Sequence, residues 1–193
     1  MKKLLEKIKH INEIIEKNNI QSLSFDIDGT LYPLRKVELR WWFLIFRKPF
    51  RTLKFLSIKM TWEKKRLGDE RISILPGDIK FFEDFLVNQL LYRGLVPVEV
   101  RHWLISLKKS GRSIFFLSDH GAKAKIEIFQ LSEFGACIDC LSETGELKPH
   151  IKIGNLLTEN YKISSARHLH LGDRWSDKEQ ARIFGCSFEY FKP

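Results

Sequence analysis

The stretch SLSFDIDGT, residues 22–30, decides the fold that this sequence predicts. Residues 22–25 are predicted to form a short buried strand that ends at Asp26. Gly29 permits a tight turn that sets Asp28 beside Asp26. Two carboxylates therefore lie together at the end of a buried strand, where a polar site is expected.

The chain after Pro97 alternates between predicted helices and predicted strands. The helices cover about 97–110, 122–134, 151–160 and 176–184, and the strands cover 113–117, 137–141, 168–172 and 187–191. This alternation predicts an α/β fold with a doubly wound parallel sheet. An amphipathic helix over residues 3–17 precedes the first strand and is expected to pack on the core.

Polar residues follow the ends of four predicted strands. Asp26 ends the first strand, Ser118 and Asp119 follow the second, Lys148 follows the third after a short turn, and Asp173 and Asp177 follow the fourth. Because ligands of open parallel sheets bind at the carboxyl ends of the strands, these groups should converge. The sequence therefore predicts one polar site assembled from residues that span about 150 positions of the chain.

The residue types at this site suit phosphate chemistry. A carboxylate nucleophile on Asp26 would split phosphomonoester hydrolysis into two steps through an aspartyl-phosphate. A hard cation such as Mg²⁺, held by Asp26 and Asp173, would offset the repulsion between carboxylate and phosphate. Lys148 and Ser118 could hold the phosphate oxygens, although Lys123 and Lys125 are alternatives to Lys148. Asp28 could protonate the leaving oxygen and deprotonate the attacking water.

The four motifs DIDGTL, Ser118, Lys148-Pro149 and GDRWSD resemble those of the haloacid dehalogenase-like superfamily, in the same order. The resemblance covers residues 22–191 and implies a Rossmann-like core. It assigns Asp26 as nucleophile and Asp28 as general acid and base. It implies Mg²⁺ held by Asp26, the Asp28 backbone carbonyl and Asp173, supported by Asp177. The candidate phosphate-binding residues are Thr30, Ser118, Asp119 and Lys148.

The resemblance favours a phosphatase within this superfamily, acting on a small phosphorylated substrate. The second aspartate of the first motif, Asp28, marks the phosphoryl-transfer members and argues against dehalogenation. A phosphomutase keeps the same motifs and remains an alternative. Asp119 and His120 depart from the pattern, because many relatives have Asn-Gly there. His120 is interpreted as a helix-entry residue and Arg174 as a surface ion-pairing residue.

The segment 33–95 is predicted to be a small helical cap inserted into a core of residues 1–32 and 96–193. Within it, residues 35–66 hold eleven Lys or Arg and two acids, which equals the net charge of +9 of the whole chain. This basic, aromatic segment could bind an anionic membrane surface or nucleic acid. The other interpretation is a solvated charged face, with an apolar stripe that packs on a second cap helix over about 78–92. That stripe comprises Leu39, Phe43, Phe46, Phe50 and Leu53, and its partners would be Phe82, Phe85 and Leu86.

Two local features of the sequence complete the prediction. Pro49 should kink or break the helix that this stripe defines. The N-terminus lacks the apolar centre of a signal peptide, and the longest apolar run, residues 41–46, is too short to span a bilayer. A cytoplasmic protein is therefore expected.

Overall fold

The computed structural model describes residues 2–67, 74–87 and 94–193, with the side chains of all these except 38, 41–45, 82–83 and 86–87. Five parallel strands form one sheet in the order β3-β2-β1-β4-β5. The strands are β1 (Ser22–Asp26), β2 (Ser113–Ser118), β3 (Ala136–Asp139), β4 (His168–Gly172) and β5 (Ser187–Tyr190). The predicted α/β, Rossmann-like doubly wound sheet is confirmed.

The register of the central strands brings their carboxyl ends to one edge of the sheet. Asp26 of β1 lies opposite Leu117 of β2, and Phe25 lies opposite Leu171 of β4. The residues that follow these strands therefore start from the same level of the sheet. This alignment creates the polar edge that the sequence predicted.

Helices cover the sheet and connect its strands. They are α1 (Lys2–Lys17), α5 (Val98–Lys109), α6 (Ala122–Phe129), α7 (Cys140–Thr144), α8 (Ile151–Glu159) and α9 (Trp175–Phe184). In α1 the buried residues Leu4, Ile8, Ile11 and Ile15 recur every three or four positions, so one apolar face packs on the core as predicted.

Three helices lie between β1 and β2: α2 (Leu34–Arg47), α3 (Pro49–Arg66) and α4 (Pro76–Val87). Pro49 separates α2 from α3, as predicted, because proline is well tolerated only in the first turn of a helix. The predicted continuation of α4 to residue 92 lies outside the described residues. No helix in the described ranges is long and apolar enough to cross a membrane.

The predicted packing of the apolar stripe in this segment is wrong. Leu39, Phe46, Phe50 and Leu53 are 65%, 85%, 86% and 58% exposed. The buried face of α3 is instead formed by Thr52, Phe55, Ile58 and Trp62. Phe55 stacks on Phe85 of α4, with ring centroids 4.5 Å apart. The predicted partners Phe43, Phe82 and Leu86 lie outside the described side chains.

Two predicted element boundaries are also wrong. The strand predicted over 137–141 ends at Asp139, because the Asp139 side chain accepts a hydrogen bond from the Ser142 amide and starts α7. The helix predicted over 122–134 ends at Phe129, because Gln130 takes a left-handed conformation with φ of 55°. Both boundaries depend on single residues that helical or strand periodicity does not mark.

Polar side chains form a continuous chain between β1 and β4. Ser22 Oγ lies 2.7 Å from His168 Nδ1, and His168 Nε2 lies 2.7 Å from Ser24 Oγ. Ser24 Oγ in turn lies 2.7 Å from His170 Nδ1. We call these four residues the serine–histidine chain. Ser24 and both histidines are buried, so their hydrogen bonds replace those that water would otherwise make.

Candidate active site

A cavity lies at the carboxyl edge of the sheet, between the strand ends and α3. Its core side includes Asp26, Asp28, Ser118, Asp119, His120, Lys148, Arg174, Ser176 and Asp177. Its other wall includes Leu34, Phe55, Lys59, Trp62, Glu63 and Arg66. The predicted convergence of strand-end residues is therefore present, and α3 closes the site from above.

Asp26 is buried at the base of this cavity. Lys148 Nζ donates a hydrogen bond of 2.6 Å to Asp26 Oδ1. Burial, with a contribution from the charge on Asp177, raises the pKa of Asp26 to about 8, and the Lys148 ammonium only partly offsets this. A second cation beside Asp26 would favour the ionised carboxylate that a nucleophile requires.

Asp28 is ionised in this arrangement. Its carboxylate forms an ion pair with the buried Lys125 and accepts a hydrogen bond from the Tyr32 hydroxyl. Although burial raises the pKa of Asp28, the Lys125 ammonium and these hydrogen bonds hold it well below its usual range. The group is therefore prepared to accept a proton and cannot donate one until the contact with Lys125 weakens.

Three carboxylates form a cluster that fits a divalent cation. One oxygen from each of Asp26, Asp173 and Asp177 lies within 4.8 Å of the others. Asp173 Oδ1 is buried and has no hydrogen-bond partner among the described residues. A hard cation such as Mg²⁺ takes carboxylate oxygens of this kind as ligands. The contribution of the Asp28 backbone carbonyl remains a prediction.

Asp177 combines two roles in the site. Its Oδ1 accepts a 2.6 Å hydrogen bond from Lys148 Nζ, and its Oδ2 accepts one of 3.1 Å from the Arg174 amide at the start of α9. Burial opposes the charge on Asp177, but the Lys148 ammonium lowers the pKa of this carboxyl strongly. Lys148 thus bridges Asp26 and Asp177, and it holds two of the three clustered carboxylates in place.

Three of the four candidate phosphate-binding residues, Ser118, Asp119 and Lys148, line the cavity, and Thr30 does not. Ser118 and Lys148 line the cavity, with the Ser118 hydroxyl 3.0 Å from the His120 carbonyl that it donates to. Thr30 is fully buried, and its hydroxyl lies 3.4 Å from Asp26 Oδ2. The structure therefore places Thr30 against the candidate nucleophile instead of on the cavity wall.

Asp119 lines the cavity, and both of its carboxylate oxygens have protein partners there. Its Oδ1 accepts a 2.7 Å hydrogen bond from the Lys148 amide, and its other oxygen forms an ion pair with Arg66 of α3. Arg66 also donates a 3.2 Å hydrogen bond to the Lys148 carbonyl. Because a carboxylate repels phosphate, Asp119 instead fixes Lys148 and fastens α3 to the core.

Several residues of the site were not predicted from sequence. Lys125, considered only as an alternative to Lys148, holds Asp28, whereas Lys123 on the same helix is exposed. Arg174 pairs with Asp173 and Glu63, as an ion-pairing residue should, but it lines the cavity. The ring of His120 lies 5.2 Å from that of Trp62. The only sequence signal for this role of Lys125 was its position, about one turn into the helix that follows the strand end at Ser118.

Known proteins share this architecture at low sequence identity. The protein YfnB from Bacillus subtilis, named a HAD hydrolase and bound to magnesium, is 16% identical over 88% of this chain and 85% of its own, with a TM-score of 0.62. CbbY from Rhodobacter sphaeroides in complex with phosphate is 16% identical over 90% of this chain and 87% of its own, with a TM-score of 0.60. The L-2-haloacid dehalogenase from Xanthobacter autotrophicus, with chloropropionic acid covalently bound, is 18% identical over 88% and 76%, with a TM-score of 0.61.

This chain has the fold of the haloacid dehalogenase-like superfamily. No family model and no curated protein matches it at the level of sequence. The resemblance predicted from the four motifs is thus confirmed as a shared fold. Within the haloacid dehalogenase-like fold of this chain, the motifs lie after β1, β2, β3 and β4 around a single cavity.

Proposed function

We propose that this chain is a Mg²⁺-dependent phosphomonoester hydrolase that acts through an aspartyl-phosphate on Asp26. The observation that carries the proposal is the cluster of Asp26, Asp173 and Asp177 around a cation site, with Lys148 Nζ 2.6 Å from Asp26 Oδ1. Four strand ends contribute to this one cavity. A phosphate dianion needs that combination of carboxylate nucleophile and surrounding cations.

The first step is attack of an Asp26 carboxylate oxygen on the phosphorus atom of the substrate. The new bond joins this oxygen to phosphorus, while the bond between phosphorus and the ester oxygen breaks. Asp26, Asp173 and Asp177 would hold Mg²⁺, which when bound neutralises charge between the carboxylate and the phosphate. Lys148 and Ser118 line the cavity and would bind the non-bridging phosphate oxygens.

Asp28 handles the protons of both steps. The leaving ester oxygen needs a proton, yet Lys125 keeps Asp28 ionised before substrate binds. Lys125 Nζ lies 3.4 Å from Ser118 Oγ, so a phosphate bound at Ser118 attracts this ammonium away from Asp28. The pKa of Asp28 then rises, so the carboxylate takes up a proton from the solvent and can donate it to the leaving oxygen.

The second step is attack of water on the aspartyl-phosphate. Asp28, deprotonated after the first step, takes a proton from the water as its oxygen bonds to phosphorus. The bond between phosphorus and the Asp26 oxygen breaks, which releases phosphate and restores the carboxylate. A phosphomutase would use the same residues but return the phosphoryl group to a sugar hydroxyl, so release of inorganic phosphate distinguishes the two activities.

The experiment compares wild type, Asp26→Asn and Asp84→Asn with p-nitrophenyl phosphate and Mg²⁺. We expect Asp26→Asn to lose turnover by at least about a thousandfold while it keeps its fold, because asparagine is nearly isosteric but a poor nucleophile. Asp84 is exposed on α4 and outside the cavity, so Asp84→Asn should keep wild-type turnover. Undiminished turnover in Asp26→Asn, or in wild type treated with EDTA, would contradict the proposal.

A further inference from the structure

Large apolar side chains project from the junction of α2 and α3 instead of packing on the protein. Phe46, at the end of α2, is 85% exposed, and Phe50, in the first turn of α3, is 86% exposed. Leu53 and Met60, further along α3, are 58% and 64% exposed. Exposed apolar residues in this number and proximity mark an interaction surface more often than a solvated one.

The spacing of these residues shows that they form one face. Phe50, Leu53, Met60 and Leu67 follow one another at intervals of three or seven residues, which places them on one side of α3. The opposite side of the helix buries Phe55, Ile58 and Trp62. We call the exposed residues Phe50, Leu53 and Met60 of α3, together with the exposed Phe46 at the end of α2, the outer apolar face. It faces away from the cavity, since Trp62 lines the cavity from the buried side.

Exposed cations lie at the end of this face nearest the α2–α3 junction. Arg47 and Lys48 are exposed and lie between Phe46 and Phe50 in sequence, and Arg51 and Lys54 are exposed on the side of α3 that is turned toward α4. Lys54 and Arg51 also lie over the ring of Phe81 of α4, at 4.5 and 5.8 Å from its centroid. An apolar centre with a cationic margin matches the chemistry of a membrane surface that contains anionic lipids.

We propose that the α2–α3 junction docks onto an anionic membrane surface. Phe46, Phe50 and Leu53 enter the boundary between headgroups and acyl chains, Arg47 and Lys48 contact the lipid phosphates, and Arg51 and Lys54 add to the local positive charge. The docking surface does not include any residue of the catalytic cavity, so this proposal does not depend on the proposed hydrolase activity. Membrane docking accounts both for the exposed apolar side chains and for the positive charge at the α2–α3 junction.

Two other occupants fit the surface less well. A second copy of the chain, paired through the same face about a twofold axis, would bring Arg47, Lys48 and Arg51 against their own copies. Nucleic acid would satisfy the cations, and bases could stack on Phe46 and Phe50. It would leave the aliphatic side chains of Leu53 and Met60 without a partner, whereas acyl chains bury all four members of the outer apolar face.

The test is co-sedimentation with vesicles of phosphatidylcholine alone and of equimolar phosphatidylcholine and phosphatidylserine. Wild type should sediment with the mixed vesicles and much less with phosphatidylcholine alone, and its binding should weaken as salt rises. The double variant Phe46→Ala/Phe50→Ala and the triple variant Arg47→Glu/Lys48→Glu/Arg51→Glu should each reduce the bound fraction about tenfold or more. Both variants should keep the thermal stability and the p-nitrophenyl phosphate turnover of wild type.

A matched control distinguishes binding through the α2–α3 junction from a general effect of net charge on vesicle binding. The triple variant Lys2→Glu/Lys3→Glu/Lys9→Glu changes the net charge equally on the exposed side of α1 and should keep vesicle binding. The proposal is overturned if wild type fails to sediment at low salt, or if this control loses binding as fully as the α2–α3 variant. It is also overturned if the double alanine variant binds as wild type does, or if the protein shifts single-stranded DNA but ignores vesicles.

Discussion

The backbone at Gly29 lies so close to the candidate cation ligand Asp173 that a side chain does not fit between them. Its φ is +93°, and a Cβ at this position would lie 2.7 Å from Asp173 Cγ. Gly111 also has a positive φ, +79°, but a Cβ there would meet no atom within 4 Å. The two glycines thus share a backbone requirement and differ only in their neighbours.

Gly29→Ala should therefore abolish Mg²⁺-dependent turnover, whereas Gly111→Ala should leave turnover unchanged. Both variants adopt an unfavourable backbone conformation, and each should lose about 1 kcal/mol of unfolding free energy or more. Only Gly29→Ala must also displace the Asp173 carboxylate. Turnover and urea unfolding of the two proteins check this, and equal turnover in both would show that Asp173 need not stay where the structure places it.

Lys125 controls the protonation of Asp28, and Lys125→Gln should reveal this in the pH profile of turnover. In the second step Asp28 is the base, and when that step limits turnover the ammonium, within reach beside Ser118, favours ionised Asp28, so activity persists to low pH. Without it, burial raises the pKa of Asp28, and activity should be lost at higher pH as the solution is acidified. The acidic limb of the kcat profile should therefore move upward by one pH unit or more.

Lys123→Gln is the matched control, since Lys123 lies on the same helix and is exposed. Its acidic limb should coincide with that of wild type. If the profiles of the two glutamine variants superimpose, Lys125 does not set the pKa of Asp28 during turnover.

Among the elements, β1 and β4 are joined by side chains as well as by backbone pairing. Ser24→Ala would leave His168 Nε2 and His170 Nδ1 without their shared partner in a buried region. Each unpaired buried group costs about 1–3 kcal/mol, so the unfolding free energy should fall by about 2–4 kcal/mol. Ser22→Ala affects one ring nitrogen at the half-buried end of the chain and should cost about 1 kcal/mol. Urea unfolding of both variants tests this, and equal losses would contradict it.

Sequence patterns predicted the elements well and their faces less well. The pattern HLHLG gave the bounds of β4 correctly, but alternation alone does not indicate that two histidines share a serine. In α3 two sets of apolar residues have helical spacing, one through Phe50 and Leu53 and one through Phe55 and Trp62. Periodicity cannot tell which set meets the core, because that depends on how α3 docks against α4 and the strand ends.

At the scale of the whole molecule, topology explains why so much of the site was predictable. Asp26 and Lys148 are 122 residues apart in sequence and 2.6 Å apart in space, because β1 ends at Asp26 and the chain after β3 and α7 returns to the same edge of the sheet. The Arg66–Asp119 ion pair follows no such rule. It arises from the packing of an inserted helix on the sheet, which leaves no pattern in either segment.

The net positive charge of the chain is distributed unevenly over the molecule. Residues 35–66 hold a net charge of +9, and the remainder of the chain is neutral overall. Opposite charges in the site pair locally, as in Lys125 with Asp28 and Lys148 with Asp26 and Asp177. Lys59 and Arg66 of this segment line the cavity, whereas Arg47, Lys48, Arg51 and Lys54 are exposed near the α2–α3 junction, where they act on large partners.

The serine–histidine chain has a direction, and Asp177 sets it. His170 Nε2 lies 3.8 Å from Asp177 Oδ1, and an ionised carboxylate attracts an N–H and repels a lone pair. With the proton on Nε2, His170 Nδ1 must accept from the Ser24 hydroxyl, whose oxygen then accepts from His168 Nε2. His168 Nδ1 in turn accepts from Ser22. Both imidazoles are therefore the same tautomer, and three hydrogen bonds point in one sense from the far end of the sheet toward the carboxylates.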